Sequence, residues 1–295
     1  MKLFFKKIGK YVAAMLTIAM LLNFFVFPKN TNVLTYKNNL LKDRLSEVLV
    51  LGNSHTFFGV NPSYMQHKTI NAASKSRKIE TDYLILEKNK EQLQHLKMIV
   101  LPISYYTLFT EDLTVEEKRL YYNYFDIAAY DQGVYRNSLV IHESFKELVE
   151  DALGKPLKIS KLGWRANSET YEFNQNEIKE RIGDINQRIA RKDRINENVA
   201  YLKGIARICK ELEIKLMLLL PPYHPDFYKA TENVYDSKIK SVVGSLGLKN
   251  VSLIDSKELH IVSDELFENV DHLNKKGAHY FTIKLDSIIK TLIDE

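Results

Sequence analysis

A serine and a histidine near opposite ends of the chain have the chemistry to cleave an acyl ester. Ser54 follows the apolar run 47–51 in the segment Gly52-Asn53-Ser54, and His272 directly follows Asp271. A serine hydroxyl becomes a nucleophile when an imidazole removes its proton, and a carboxylate commonly orients that imidazole. These residue types therefore predict Ser54 as the nucleophile, His272 as the base and Asp271 as the residue that orients it.

Other polar residues near these positions have less certain roles. The amide oxygen of Asn269 can accept a hydrogen bond from the imidazole, but it has no charge with which to stabilise an imidazolium. The sequence leaves three alternatives open: Asp271 as the orienter, Asn269 as the orienter, and a serine–histidine pair without a third member. Asn53 and His224, which lie next to ends of predicted strands, are candidates for contacting the substrate.

The elements that must bring these residues together are short apolar strands alternating with helices. Five runs have the composition of buried strands, at 47–51, 69–73, 98–103, 215–220 and 251–254. Helical periodicity covers about 79–96, 195–213, 235–246 and 275–293. Strands joined through helices form a parallel sheet with helices on both faces. We expect a doubly wound α/β sandwich of about five strands, with a ligand site outside the carboxyl ends of the strands.

Two of these segments resemble the blocks of a known superfamily. Gly52-Asn53-Ser54 is similar to the first block of the SGNH/GDSL serine esterases and acyltransferases, and Asp271-His272-Leu273-Asn274 with Gly277-Ala278 is similar to the last. The resemblance covers roughly residues 45–105 and 195–293 and implies a flavodoxin-like three-layer sandwich. Within the superfamily the chain looks most like membrane-anchored bacterial proteins that acylate cell-surface polymers, such as the alginate acetylation proteins and the teichoic acid D-alanylation protein.

The resemblance also implies an oxyanion hole, and the chain departs from the family pattern there. The backbone N–H groups of Ser54 and of about Ser76 match the first two donors. The family's third block, Gly-x-Asn-Asp, is absent, and Ser104 or Tyr105 occupies that strand end, with Ser104 the candidate for the third donor. The family's usual acid, three residues before the histidine, falls on Asn269. These departures leave an alternative open, in which the chain is a catalytically degenerate binding or accessory module of a polysaccharide modification or export complex.

The net charge of +5 belongs to the N-terminus rather than to the whole protein. Residues 1–30 contain five lysines and no acid, and the remaining residues hold equal numbers of each sign. A nucleic-acid partner is therefore not expected. The single cysteine, Cys209, excludes an intramolecular disulfide, the histidines show no metal-ligand spacing, and no glycine-rich phosphate loop occurs. We expect no metal and no cofactor.

An apolar run at 11–27 follows four of these lysines and ends at Pro28. The run is at the short end of what spans a bilayer, and its end lacks the small residues of a cleavage site. We expect an uncleaved, single-pass transmembrane signal anchor over 1–30 with its N-terminus in the cytoplasm, and an extracytoplasmic domain over 31–295. A cleaved signal peptide and a buried helix are the alternatives.

The long stretch between the third and fourth strands exceeds what a crossover needs. Residues 105–175 are rich in tyrosine and predict a mostly helical insertion, which serves either as a cap over the site or as a packing appendage. Together these features predict a membrane-anchored, extracytoplasmic serine esterase or O-acyltransferase. Its substrate would be a carbohydrate ester or a cell-surface polymer, and a membrane-bound acyl-transfer protein would be a suitable partner.

Overall fold

Five short parallel strands form the centre of the fold. The computed structural model describes residues 2–21, 33–109, 112–131, 158–167, 175–191, 194–231, 235–247 and 250–294. The strands are β1 (Val48–Val50), β2 (Thr69–Asn71), β3 (Met98–Pro102), β4 (Lys215–Leu220) and β5 (Val251–Asp255). They pair in the order β2-β1-β3-β4-β5, and each pair is parallel. The predicted α/β class and the parallel sheet of five strands are confirmed.

Alternate side chains of the central strands enter two different cores. Leu49, Ile99 and Leu218 contribute to the larger core on one face of the sheet, whereas Val50 and Met217 contribute to the smaller core on the other face. Side chains alternate along a strand, so apolar residues at every position are expected when helices cover both faces. This burial on both faces explains why the strands appear in the sequence as continuous apolar runs.

Eleven α-helices occur among the described residues. The first six are α1 (Lys2–Leu21), α2 (Val33–Leu40), α3 (Ser54–Gly59), α4 (Ile79–Asn89), α5 (Tyr105–Phe109) and α6 (Val115–Phe125). The others are α7 (Gln175–Arg191), α8 (Ile195–Glu211), α9 (Pro225–Thr231), α10 (Ser237–Ser245) and α11 (Lys275–Asp294). Helices α4 and α8 pack in the larger core, and α11 covers the smaller one. The four helices predicted from periodicity correspond to α4, α8, α10 and α11.

No helix among the described residues combines the length and the hydropathy of a membrane span. Helix α1 covers part of the apolar run predicted at 11–27, and residues 22–27 of that run lie outside the described residues.

The predicted insertion at 105–175 is described only in part. Helices α5 and α6 and the segment 158–167 are described, whereas 132–157 and 168–174 lie outside the described residues. Helix α7, which follows this stretch, has no counterpart among the helices predicted from periodicity. Segment 158–167 meets the sheet where the N–H of Asn71 donates to the carbonyl of Leu162, 2.8 Å away, so it packs beside β2.

Gly52 makes the sharp exit from β1 that positions Ser54. Its φ is +100°, and a Cβ at this position would lie 2.2 Å from the ring carbons of Pro102 on the neighbouring strand. Any side chain would therefore clash, and the left-handed φ would add strain. The N–H of Gly52 points to the buried carboxylate of Asp82, 3.3 Å away. The glycine before Asn53-Ser54 is therefore required by packing.

Candidate active site

Ser54 is the first residue of α3, directly after the carboxyl end of β1. Asn53 caps this helix, because its Oδ1 accepts hydrogen bonds from the N–H of His55 at 3.1 Å and from Nδ1 of the same residue at 3.0 Å. Asn53 is buried and does not line the cleft described below. The expectation that Asn53 contacts the substrate is therefore wrong, because its side chain is committed to starting the helix.

A short antiparallel hairpin carries the residues expected to serve as base and orienter. Strands β6 (Phe267–Asn269) and β7 (His272–Leu273) pair with Asn269 opposite His272, and Val270 and Asp271 form the turn between them. The amide oxygen of Asn269 accepts a hydrogen bond from the N–H of Asp271 at 3.1 Å, which tightens the turn. This hairpin has no counterpart among the elements predicted from the sequence.

The hairpin places His272 against Ser54. Nε2 of His272 lies 2.7 Å from Oγ of Ser54, and Nδ1 lies 3.0 Å from Oδ1 of Asp271 and 3.1 Å from Oδ1 of Asn269. Both neighbours of Nδ1 are acceptors, so Nδ1 carries the proton and Nε2 presents its lone pair to the serine hydroxyl. This tautomer is the one that removes a proton from serine.

The carboxylate of Asp271 is buried and accepts several hydrogen bonds. Its Oδ2 accepts from the hydroxyl of Tyr105 at 2.6 Å and from Nε and an Nη of Arg181 at 3.0 and 2.7 Å, while Oδ1 faces His272. Burial alone would raise the pKa of Asp271, but its interactions with His272 and Arg181 outweigh burial and hold that pKa well below its usual value. Asp271 is therefore a stable anion.

Tyr105 and Arg181 are partners of Asp271 that were not predicted from the sequence. Tyr105 is buried on α5, and burial raises its pKa well above the usual value, so its neutral hydroxyl acts as the donor. Arg181 lies on α7 and has a side chain that is 36% exposed. A single arginine on a highly charged helix gives no signal in sequence. The position of Tyr105 just after β3 was the one available indication.

His55 forms the wall behind the imidazole of His272. The two rings are stacked with their centroids 5.0 Å apart and their planes 13° apart. Burial, together with the nearby charge of His272, lowers the pKa of His55 to about 3, so the ring is neutral. Its Nε2 has no hydrogen-bond partner among the described residues and lies 3.9 Å from Oδ2 of Asp271. His55 thus packs against the ring of His272.

Of the two further oxyanion donors predicted, the structure brings one to the site. Ser76 lines the same cleft as Ser54 and has a φ of +55°, in the left-handed region that favours glycine. Ser104 is buried, and its N–H and hydroxyl lie 3.2 Å from the hydroxyl of Thr107 in the first turn of α5. The expectation for Ser104 is wrong, because its polar groups are used within that turn.

His224, expected to contact the substrate, is instead part of the packing under the hairpin. It is buried, its Nε2 lies 2.9 Å from Oδ1 of Asp264, and its ring packs edge-on against Phe267. Its backbone N–H donates to the carbonyl of Val270 at 2.9 Å. The structure therefore corrects the expectation, because the contacts of His224 support the hairpin rather than face the cleft.

A cleft of about 310 Å³ opens over Ser54 and His272. Apart from these two residues, its lining is largely polar or aromatic and includes Lys75, Tyr106, Asn167, Arg181, Glu268 and Asn269. Polar groups that converge on a concave surface are typical of a site for a small polar ligand. The cleft lies at the carboxyl ends of β1 and β3, as expected for a sheet of this type.

The residues around His272 can also be considered as metal ligands. His55, Asp271 and His272 each offer one ligand atom within 4.8 Å of the others. However, the guanidinium of Arg181 already donates to Oδ2 of Asp271 and would repel a cation there, and Nε2 of His272 faces Ser54. These contacts fit proton transfer better than cation binding.

The solved structures that match this chain include one distant likeness. No family model and no curated protein matches the chain. A solved structure from Streptococcus pneumonia, provisionally named as a platelet activating factor, is 11% identical, and the match covers 92% of this chain and 98% of that chain with a TM-score of 0.44. At that score the likeness carries no argument about function. Membership of the SGNH/GDSL superfamily therefore stays a prediction from the residues.

Proposed function

We propose that this protein is a serine esterase or O-acyltransferase that acts on an ester of a carbohydrate or cell-surface polymer. The observation that carries the proposal is the 2.7 Å contact between Oγ of Ser54 and Nε2 of His272, whose Nδ1 lies 3.0 Å from Asp271. A serine, an imidazole in the correct tautomer and a buried anion behind it form the arrangement that activates a serine hydroxyl.

The reaction follows from this geometry. Nε2 of His272 takes the proton of Ser54 as Oγ bonds to the ester carbonyl carbon, and Asp271 stabilises the imidazolium. When the bond from that carbon to the alcohol oxygen breaks, the leaving oxygen takes the proton from Nε2, and the acyl group stays on Ser54. Water then attacks in the esterase, or a sugar hydroxyl in the transferase, and returns the enzyme to its starting state by the same proton path.

The carbonyl oxygen needs hydrogen-bond donors as it gains negative charge. The backbone N–H of Ser54 lies at the start of α3, and that of Ser76 belongs to a loop that lines the cleft. Preorganised N–H donors of this kind contribute about 3 kcal/mol each to transition-state stabilisation. Asn269 has a supporting role in the proposal, because it holds the turn of Asp271 and also faces Nδ1 of His272.

The polar lining of the cleft supports a carbohydrate or another polyhydroxylated alcohol as the group to which the acyl chain is esterified. Asn167, Arg181 and Glu268 provide donors and acceptors around the two reacting residues. Sugars present many hydroxyl groups, and each one loses its hydrogen bonds to water when it is bound, so a site with several polar groups suits them.

The proposal also places the protein at the outer face of a membrane, anchored through its N-terminus. Its support is the cluster of lysines before the apolar run and the side chains of α1 that are exposed despite being apolar, among them Tyr11, Met15 and Leu16. Protease treatment of intact cells tests this part. Degradation of the folded domain together with recovery in the membrane fraction would support it, and recovery of protected, soluble protein would contradict it.

The competing function is a binding module that has lost its chemistry. The observations that favour it are Asn269 at the position of the family's acid and the absence of the third block. The presence of Asn269 at the acid position carries less weight, because Asp271 contacts His272 and gives the imidazole a buried anion beside it.

Covalent labelling with a fluorophosphonate probe, combined with hydrolysis of nitrophenyl acetate, separates the two functions. We expect labelling of the wild type and of a control variant, Ser287→Ala, which changes a serine on the surface of α11. Labelling and turnover should both be lost in Ser54→Ala and strongly reduced in His272→Ala. Labelling that survives in Ser54→Ala would contradict the nucleophile assignment. A folded wild type that is neither labelled nor active would favour the binding module.

A further inference from the structure

A second cavity adjoins the reaction cleft. It has a volume of about 280 Å³ and shares Lys75 and Ser76 with the cleft, so the loop that carries the proposed oxyanion donor separates the two. Its walls are largely apolar and come from α2, α3 and α6, with contributions from Val33, Leu34, Phe57, Leu120 and Tyr121. The cleft over Ser54 is polar, so the two neighbouring spaces differ in chemistry.

We propose that this second cavity, the acyl pocket, binds the hydrocarbon chain of the acyl group that is transferred to Ser54. The inference rests on the proposed function and narrows its substrate class to esters of unbranched acyl chains longer than acetyl.

The stereochemistry of the reaction supports this assignment. His272 must reach both Oγ of Ser54 and the oxygen of the leaving alcohol, so the alcohol lies on the side of His272. His272, Asn269 and Arg181 line only the polar cleft. When the N–H of Ser76 serves as an oxyanion donor, the carbonyl oxygen of the ester points towards it. The acyl chain then leaves the reacting carbon on the side away from His272, across Lys75 and Ser76, where the acyl pocket begins.

The polarity of the two spaces agrees with this arrangement. An acyl chain has no hydrogen bonds to satisfy and gains free energy from contact with side chains such as Phe57 and Leu120. A sugar in the same place would lose hydrogen bonds to water without replacement. The polar residues of the acyl pocket include Arg165 and Glu117. Glu117 is held by Thr114 in the capping box that starts α6, which leaves its carboxylate engaged.

The acyl chain length of the ester tests the inference. With the full-length protein and nitrophenyl esters of acetate, butyrate, hexanoate, octanoate and decanoate, we expect kcat/KM to rise by about two- to fourfold per added methylene until the pocket is filled, and then to level off. A profile that is flat or falls with chain length, while acetate turnover still requires Ser54, would overturn the acyl pocket and leave the proposed function intact.

A variant that fills the pocket provides the second test. Leu120→Trp should lower kcat/KM for octanoate by about tenfold or more and leave that for acetate within about twofold. Val115→Trp is the matched control, because Val115 is half exposed on the same helix and does not line the pocket. If Leu120→Trp fails to fold, Val33→Trp narrows the pocket from α2.

The two failures can be told apart. A loss in Leu120→Trp that is equal for acetate and octanoate would overturn the acyl pocket alone. If no ester is hydrolysed in a Ser54-dependent way and the probe does not label the protein, the proposed function is overturned, and the acyl pocket with it.

Discussion

The carboxylate of Asp271 lies 3.0 Å from Nδ1 of His272, although the two residues are neighbours in sequence. Adjacent side chains of an extended strand point to opposite faces and would not meet in this way. Asp271 lies in the turn between β6 and β7, and the turn brings its side chain back to the imidazole. The same turn places Asn269 across the hairpin from His272, so one short segment supplies two acceptors for Nδ1.

The two acceptors should differ in their effect on the rate. Asp271→Asn retains the shape but removes the charge that stabilises the imidazolium, so we expect kcat to fall by about a thousandfold or more. Asn269→Ala removes a neutral acceptor and should lower kcat by about tenfold. Steady-state hydrolysis of a nitrophenyl ester measures both, and Glu265→Gln, an exposed change in the neighbouring segment, is the control. If neither variant loses a factor of ten, neither residue orients His272.

Arg181 should act through Asp271 as a positioning residue. Arg181→Gln removes two charged hydrogen bonds to Oδ2, so the pKa of Asp271 should rise from its lowered value, while the contact with His272 continues to lower it. We expect kcat to fall by roughly tenfold at neutral pH and by more at acidic pH, where a weaker anion at Asp271 is lost first, with partial rescue by Arg181→Lys. The pH profile of kcat/KM is the decisive measurement. A uniform loss with an unchanged profile would mean that Arg181 only stabilises the fold.

Ser76 should be replaceable by residues that accept its backbone conformation. At a φ of +55°, Ser76→Gly relieves strain of about 1 kcal/mol and should keep kcat/KM within about threefold. Ser76→Val places a β-branched residue in the left-handed region, so kcat should fall by about tenfold and the free energy of unfolding by about 1–2 kcal/mol. Ser76→Ala is the control for the hydroxyl. A loss in Ser76→Ala as large as that in Ser76→Val would mean that the side chain, rather than the N–H, is the active group.

A pH-dependent stability should come from Asp82, which lies behind the exit from β1 at Gly52. Asp82 is buried beside Arg77 and accepts from the N–H of Gly52, and burial raises its pKa to about 6. In the unfolded chain the carboxyl has a pKa of about 3.9, so the folded state binds more protons between these values. The contribution of Asp82 therefore makes the free energy of unfolding decrease as pH rises from about 4 to about 6, by on the order of 2–3 kcal/mol.

Urea unfolding at several pH values between 4 and 7 measures this effect. We expect Asp82→Asn to gain stability relative to the wild type across that interval by a similar amount, since the amide does not ionise. The difference between the two proteins separates Asp82 from the other groups that titrate in the same range. A difference that is constant with pH would contradict the raised pKa of Asp82.

The sequence by itself determined the fold class and the residues to examine. The runs at 47–51, 98–103 and 215–220 are apolar at nearly every position because helices cover both faces of the sheet, and this signal is local. Ser54 and the Asp271-His272 pair stood out because their residue types and their positions beside predicted elements are also local properties. The end of β1 and the β6–β7 hairpin then bring these residues together.

Only the tertiary structure decided how the site is completed. Arg181 and Tyr105 contact Asp271 from positions 90 and 166 residues away in sequence, and no local pattern marks such pairs. Local patterns also did not show the roles of three residues whose expected roles were wrong. Asn53, Ser104 and His224 lie near strand ends as predicted, but a side chain there can cap a helix or support a turn instead of facing the cleft. The position of a residue in the sequence can place it at a strand end, but the packing of the folded chain decides which way its side chain points.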